Sequence, residues 1–138
     1  MTPAFSRGTV ARMERPRVLV ADDAELNQTL LCTLLKKWGF DAKAASDGDE
    51  AVEAALGAMR EGRPFGVILM DKEMPALDGY AATAALRARG YRGAILAFTA
   101  RADDSERALS LAAGCDELLP KPIDWAVLRA TVERYATR

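Results

Sequence analysis

The sequence contains no histidine and only two cysteines among its 138 residues. Without histidine, no imidazole base is available to activate a nucleophile. Cys32 and Cys115 stand far apart in the chain, and neither has a second cysteine near it at the spacing of a zinc or redox site. These absences exclude zinc chemistry and histidine-assisted nucleophilic catalysis, and we interpret the two thiols as buried and free.

The sequence also lacks a long apolar run and an excess of charge of one sign. No apolar stretch approaches the ~20 residues that a helix needs to cross a bilayer. The 19 basic and 20 acidic residues give a net charge of -1, which provides no basic surface for nucleic acid or for a membrane. Residues 1–17 lack the apolar segment of a secretory signal. We therefore expect a cytoplasmic protein with no nucleic-acid and no membrane partner.

The length of the chain suits one compact domain. A chain of 138 residues can bury most of its apolar surface in a single core, and it leaves no room for a second domain. We expect a flexible N-terminal tail over residues 1–15 and one domain over residues 16–137, present as a monomer or weak dimer.

Short apolar runs alternate with segments of helical period along this domain. The predicted strands are Val18–Ala21, Ala42–Ala45, Gly66–Met70, Ala94–Phe98 and Leu118–Pro120. The predicted helices are Leu26–Trp38, a segment capped by Asp47, Leu77–Arg89, Ser105–Ala113 and a last segment capped by Asp124. Five strand–helix units joined by right-handed crossovers predict an α/β doubly wound (βα)5 sandwich. We expect a flavodoxin-like parallel sheet in the order 2-1-3-4-5.

Polar residues follow four of the five predicted strands. Asp22 and Asp23 follow the first strand, Asp71 the third, Thr99 the fourth and Lys121 the fifth. In this strand order the first and third strands are neighbours, so their carboxyl ends meet at the switch point where ligands bind. We expect these five side chains to form one site, which we call the mouth.

The charges of the mouth indicate a divalent cation and phosphoryl chemistry. Two carboxylates 4 Å apart repel by ~1 kcal/mol in water and by about 4 kcal/mol at an effective dielectric of 20. Lys121 balances only one of the three carboxylates. Mg²⁺ commonly binds one or two carboxylates together with waters and a phosphate oxygen. Attack by the Asp71 carboxylate on phosphorus requires such screening, because nucleophile and donor are both anions.

Each of these motifs alone has an ordinary explanation. Asp22 and Asp23 are typical of a helix N-terminus, and Asp71 before a proline is typical of a turn. Thr99 alone would be a plain strand-end residue, and Lys121 alone a solvated lysine. Their joint placement at matching strand ends favours a functional site.

The sequence resembles the receiver domains of two-component response regulators over about residues 16–137. The motifs that carry the resemblance are Leu19–Asp23, Leu69–Pro75, Leu77–Gly79, Phe98–Ala100, Ala113–Asp116 and Lys121–Pro122. The residues around Asp71 and Lys121 are similar to those of receivers attached to hybrid histidine kinases. The resemblance implies a phosphorelay protein that is either a single-domain regulator or a fragment of a hybrid kinase.

The resemblance also implies a role for each residue of the mouth. Asp71 is expected to be the phosphoacceptor, with Mg²⁺ held by Asp22, Asp23, Asp71 and the backbone carbonyl of Glu73. Thr99 and Lys121 are expected to contact the phosphoryl oxygens, and the Lys121–Pro122 peptide bond is expected to be cis. The implied donor is a phosphohistidine on a sensor histidine kinase or a histidine phosphotransfer protein. The signal is expected to pass to a downstream protein target through the face formed by the fourth helix, fifth strand and fifth helix.

Three features depart from the usual receiver pattern. Leu118 stands where an aromatic residue is common, so the usual aromatic switch cannot operate in its ordinary form. Lys72 follows the expected phosphoacceptor where an apolar residue is frequent. In the fold that the resemblance implies, Glu73 and Arg101 flank the mouth, and we predict that they form an ion pair across it.

Two other classes remain as alternatives. A haloacid-dehalogenase-like phosphatase also uses an aspartyl nucleophile, but that family has a second aspartate where this chain has Glu73. A pseudo-receiver would keep the fold as a protein-binding module without phosphorylation. The complete set of residues in the mouth argues against a pseudo-receiver. A measurement of Mg²⁺ binding would distinguish a pseudo-receiver from a phosphorylated receiver.

Overall fold

The computed structural model describes residues 15–136 as alternating strands and helices. The strands are β1 (Arg17–Ala21), β2 (Asp41–Ala45), β3 (Val67–Asp71), β4 (Ala94–Thr99) and β5 (Glu117–Pro120). The helices are α1 (Glu25–Lys37), α2 (Gly48–Arg60), α3 (Gly79–Ala88), α4 (Asp104–Ala113) and α5 (Trp125–Ala136). Residues 1–14 of the predicted tail lie outside the described residues, so the division into tail and domain stays a prediction.

The five strands form one parallel sheet in the order β2-β1-β3-β4-β5. This confirms the predicted flavodoxin-like order. In the pairing of β1 with β3, Ala21 lies opposite Met70. The residues that follow β1 therefore emerge beside the end of β3, which positions the mouth.

The pleat of the sheet divides the apolar side chains between two cores. Ile68 and Met70 of β3 face the core beneath α2 and α3. Val67 and Leu69 face the core beneath α1 and α5. Both sheet faces are therefore covered, which explains why β3 reads as a continuous apolar run.

Aspartate caps fix where the helices begin. Asp78 accepts a hydrogen bond from the Ala81 backbone N–H at 2.8 Å, so α3 begins at Gly79. The predicted start at Leu77 is wrong, because that residue lies in the turn before the cap. α4 similarly begins at Asp104, one residue earlier than predicted, since Asp103 is its cap. The predicted cap at Asp124 is confirmed by hydrogen bonds from two backbone N–H groups at 3.0 and 3.2 Å.

Both cysteines are free, with Cys115 buried as predicted and Cys32 only partly buried. Within residues 15–136, none of the helices combines the length and apolar character that a bilayer crossing requires.

Candidate functional site

The three aspartates predicted to converge do so at the carboxyl edge of the sheet. Asp22 and Asp23 directly follow β1, and Asp71 is the last residue of β3. One carboxylate oxygen from each lies within 4.8 Å of the others. Asp22 and Asp71 are buried and Asp23 is exposed. The group is therefore open to solvent on the side of Asp23.

Asp22 is held in place by the first turn of α1. Its Oδ1 accepts a hydrogen bond from the Ala24 backbone N–H at 2.8 Å, and its Oδ2 accepts one from Asn27 Nδ2 at 3.4 Å. Gln28 Nε2 donates to the Asp22 backbone carbonyl at 2.6 Å. Ala24 caps α1 without a side-chain hydrogen bond, so the carboxylate of Asp22 satisfies one of the N–H groups that this helix start leaves free. The same bonds fix the orientation of the carboxylate.

Asp71 Oδ1 accepts two hydrogen bonds, from Lys121 Nζ at 2.9 Å and from the Glu73 backbone N–H at 3.1 Å. Among the described residues, no donor forms a hydrogen bond with its Oδ2. Burial raises the pKa of Asp71 above its ordinary value, and the charge of Asp22 adds to the rise, while Lys121 opposes both. The site therefore presents one carboxylate oxygen that is fixed by the protein and one that is available to a ligand.

Lys121 reaches the mouth from the end of β5. Its Nζ lies 2.9 Å from Asp71 Oδ1 and 3.6 Å from Glu73 Oε1. Burial lowers the pKa of Lys121, but the hydrogen bond and charge of Asp71 and the charge of Glu73 outweigh it, so the pKa lies above its ordinary value. The Lys121–Pro122 peptide bond is cis, which confirms the prediction.

Thr99 ends β4 with its side chain at the same edge of the sheet. The residue is buried, and its hydroxyl donates to Glu73 Oε2 at 3.1 Å. The hydroxyl also accepts a hydrogen bond from the Arg101 backbone N–H at 3.2 Å. The structure thus brings together all five residues that the sequence assigned to the mouth, and it adds the Glu73 side chain to them.

The predicted ion pair between Glu73 and Arg101 is wrong. Arg101 pairs with Asp103 at 3.0 Å, and its side chain is 71% exposed. Asp103 lies two residues further along the same loop, so it is the nearer acid to Arg101. The carboxylate of Glu73 turns inward because Thr99 and Lys121 offer a hydroxyl and an ammonium group there.

A second cluster, which the sequence did not predict, joins the loop after Asp71 to two helices. Lys72 Nζ lies 2.9 Å from Glu106 Oε2 on α4, and the Tyr80 hydroxyl of α3 donates to the same oxygen at 2.7 Å. The hydrogen bonds from Lys72 and Tyr80 hold the pKa of Glu106 below its ordinary value. The sequence showed that Lys72 departs from the usual receiver pattern. Its partner Glu106 on α4 is distant in the sequence and becomes a neighbour only in the folded chain.

A backbone hydrogen bond closes the loop between Asp71 and α3. The Gly79 backbone N–H donates to the Lys72 carbonyl at 3.0 Å. A Cβ atom on Gly79 would lie 2.4 Å from the Asp71 carbonyl oxygen. Glycine is therefore required at this position by the close approach of two backbone segments.

An apolar groove of about 250 Å³ opens beside the mouth, between α1 and the β5–α5 loop. Asp22 and Lys121 are among its lining residues, so the groove adjoins the mouth. The remaining lining residues are Asn27, Leu30, Leu31, Phe98, Pro122, Ile123 and Trp125. A larger cavity of about 670 Å³ lies at the opposite edge of the sheet and contains none of the predicted site residues.

Comparison with known proteins identifies relatives across nearly the whole described chain. The family model described as response regulator receiver domain matches residues 18–133. Hybrid signal transduction histidine kinase I of Dictyostelium discoideum is 37% identical over 118 residues, covering 83% of this chain and 7% of the kinase. Sensor histidine kinase RcsC of Salmonella typhimurium is 33% identical over 121 residues, covering 88% of this chain and 12% of that protein.

A solved structure agrees with the fold. It is the receiver domain of sensor histidine kinase PA1611 from Pseudomonas aeruginosa PAO1, described with a magnesium ion coordinated in the active site cleft. It is 34% identical, with a TM-score of 0.77, and the match covers 90% of this chain and 99% of that one. The chain therefore corresponds to a whole receiver domain and to a small part of the kinases it matches.

Proposed function

Because this chain belongs to the response regulator receiver domain family, we propose that it accepts a phosphoryl group from a phosphohistidine onto Asp71. One observation supports this role above the others. The carboxylates of Asp22, Asp23 and Asp71 approach within 4.8 Å of one another, and Lys121 Nζ lies 2.9 Å from Asp71. The arrangement combines a nucleophilic carboxylate with the charges needed to bring an anionic donor to it.

The transfer is a displacement at phosphorus. A carboxylate oxygen of Asp71 attacks the phosphorus atom, and the phosphorus–nitrogen bond to the donor imidazole breaks. The imidazole nitrogen keeps the electron pair of that bond, and Asp71 becomes an acyl phosphate. Lys121 and the hydroxyl of Thr99 stabilise the charge on the phosphoryl oxygens, because positioning and electrostatics provide most of the catalysis in phosphoryl transfer.

The donor set of the mouth fits Mg²⁺. Asp22, Asp23 and Asp71 provide hard carboxylate oxygens, and the ammonium of Lys121 leaves two of the three negative charges unbalanced. Oxygen ligands of this type suit Mg²⁺, with the backbone carbonyl of Glu73 as the further protein ligand we propose. When bound, the ion would screen the repulsion between the carboxylate and the donor phosphate.

The same residues support the return to the unphosphorylated state. Water attacks phosphorus, the bond between phosphorus and the Asp71 oxygen breaks, and inorganic phosphate leaves. We propose that the domain catalyses this hydrolysis itself, so that the signal is transient without a separate phosphatase.

We propose that the groove beside the mouth receives the phosphohistidine-bearing helix of the donor, a sensor kinase or phosphotransfer protein. Asp22 and Lys121 belong to both the groove and the mouth, so a helix seated there would direct a side chain at Asp71. Leu30 and Trp125 on its rim are 44% and 41% exposed, which provides apolar contacts for an amphipathic helix.

The cluster of Lys72, Tyr80 and Glu106 offers a route for the output. It joins the residue after Asp71 directly to α4. Leu118 of β5 is buried and has no ring to reorient. We propose that phosphorylation changes the face of α4, β5 and α5 through this cluster and the Thr99 loop, and that a downstream protein recognises the change.

Chemical phosphorylation tests the proposed role of Asp71. With Mg²⁺ and acetyl phosphate, the wild type is expected to gain the mass of one phosphoryl group, while Asp71→Asn stays unlabelled. Asp41→Asn is the matched control, because Asp41 lies at the opposite edge of the sheet and is half exposed. Chelation of Mg²⁺ is expected to stop the reaction.

Labelling of Asp71→Asn at the wild-type level would falsify the assignment. A wild type that neither binds Mg²⁺ nor gains a phosphoryl group would indicate a pseudo-receiver instead.

A further inference from the structure

The side chain of Glu73 holds the two groups that the proposed function assigns to the phosphoryl oxygens. Thr99 donates its hydroxyl proton to Glu73 Oε2 at 3.1 Å, and Lys121 Nζ lies 3.6 Å from Glu73 Oε1. One carboxylate therefore spans a hydroxyl and an ammonium with its two oxygens. An anionic phosphoryl group on Asp71 would make the same pair of contacts with two of its own oxygens.

Glu73 is placed by the chain to make these contacts and is also free to leave them. Its backbone N–H donates to Asp71 Oδ1 at 3.1 Å, which fixes the residue at the rim of the mouth. Its side chain is 52% exposed, so the carboxylate can turn into water at little cost in solvation. Arg101 is paired with Asp103 and does not hold the carboxylate outward.

We propose that the side chain of Glu73 competes with the phosphoryl group for Thr99 and Lys121, an inference that rests on the proposed function. In the unphosphorylated protein its carboxylate binds Thr99 and Lys121, and it is displaced when Asp71 carries the phosphoryl group. The unoccupied form of the mouth is then a minority of the protein, and the apparent affinity for a phosphoryl group falls in proportion to that minority. Glu73 acts as a positioning residue that sets the threshold of phosphorylation and takes no part in bond making.

Neutralising or removing the carboxylate should therefore strengthen binding of a phosphoryl analogue. The test measures the apparent Kd of beryllofluoride with Mg²⁺ by NMR titration for the wild type, Glu73→Gln and Glu73→Ala. Because half-exposed ion pairs are weak, we expect both variants to bind about two- to fivefold more tightly than the wild type. Labelling by subsaturating acetyl phosphate should become faster by the same factor. Glu61→Gln, the same charge change at the exposed C-terminal end of α2, should behave as the wild type.

A double-mutant cycle with Thr99→Ala separates occupancy of the mouth from general charge repulsion. If Glu73 competes through the Thr99 hydroxyl, the gain from Glu73→Gln should be smaller in the Thr99→Ala background. An equal gain in both backgrounds would overturn the proposed contact. Wild-type labelling by acetyl phosphate with no gain in either Glu73 variant would refute the competitor alone. Absence of wild-type labelling would refute the proposed function and this inference with it.

Discussion

The absence of a side chain at Gly79 allows the loop that positions Asp71 to pack closely against the start of α3. A Cβ atom there would lie 2.4 Å from the Asp71 carbonyl oxygen and 2.9 Å from Lys72 Cα, and both of these are backbone atoms. Gly79→Ala must therefore move the loop that positions Asp71. We expect the free energy of unfolding to fall by about 1–3 kcal/mol. Urea denaturation measures this, and labelling by acetyl phosphate should slow because Asp71 is displaced.

Gly57 provides the matched control within α2. The nearest atom to a Cβ at Gly57 is the Arg60 Nη2 at 3.8 Å, so the added methyl group has room. Because alanine favours a helix interior, Gly57→Ala is expected to stabilise the protein by about 0.5–1 kcal/mol and to leave labelling unchanged. If Gly79→Ala matched Gly57→Ala in stability, the close approach at Gly79 would be wrong.

At the scale of single residues, the sequence predicted positions better than side-chain partners. The placement of Asp22, Asp71 and Lys121 followed from strand ends, because a parallel sheet brings its carboxyl ends to one edge. The partner of Arg101 did not follow from the sheet. A long exposed side chain pairs with the nearest opposite charge, and for Arg101 this is Asp103 in its own loop. The inward turn of Glu73 depended on Thr99 and Lys121 being close together, which only the folded chain shows.

The link between the β3–α3 loop and α4 makes stability depend on pH. The pKa of Glu106 lies below its ordinary value in the folded protein because Lys72 and Tyr80 hydrogen-bond to the charged form. A carboxyl group with a lowered folded pKa contributes stability above its unfolded pKa, and this contribution is lost as pH falls through the folded pKa. Glu106→Gln should therefore be less stable than the wild type at pH 7.

The difference between the two proteins should shrink as pH falls through the ordinary glutamate pKa of about 4.3 and below it. Urea denaturation of both proteins across this range measures the difference. A difference in unfolding free energy that stayed constant down to low pH would contradict the charged role of Glu106. Amide exchange at pH 7 should also increase in α4 of the variant, since its connection to the β3–α3 loop is lost.

At the scale of elements, the sequence predicted the order and type of every strand and helix that the structure describes. Apolar periodicity carries this information, because strands buried on both faces must be continuously apolar. The errors are shifts of one or two residues at the ends of strands and helices. Asp78 and Asp103 are both caps, and an aspartate before a helical pattern can be either the cap or the first helical residue until its hydrogen bonds are known.

In the proposed function, the donor docks in the groove beside the mouth. Leu30 of α1 lines the groove and is 44% exposed, so it is available as an apolar anchor. Truncating such an anchor typically costs about 1–2 kcal/mol of binding. The donor in this test is a phosphorylated histidine phosphotransfer protein that labels the wild type. Leu30→Ala should slow transfer from this donor by about 5- to 30-fold.

Acetyl phosphate needs no docking surface, so its reaction with Leu30→Ala should change by less than about twofold. Leu111→Ala is the control, because Leu111 is 65% exposed on α4, away from the groove. Phosphotransfer is followed by the loss of label from the donor. An equal effect of the two substitutions would place the donor elsewhere on the surface.

The two ends of the described chain lie together at the edge of the sheet opposite the mouth. Arg15, Pro16 and Ala136 line one cavity there. Polypeptide attached to either end would therefore begin on the same side of the domain. A tether attached at these ends would start on the side of the domain away from the mouth and the groove. The domain should therefore tolerate circular permutation, in which a short peptide joins the two ends and new termini are made in another loop. The surroundings of Asp71 would not change.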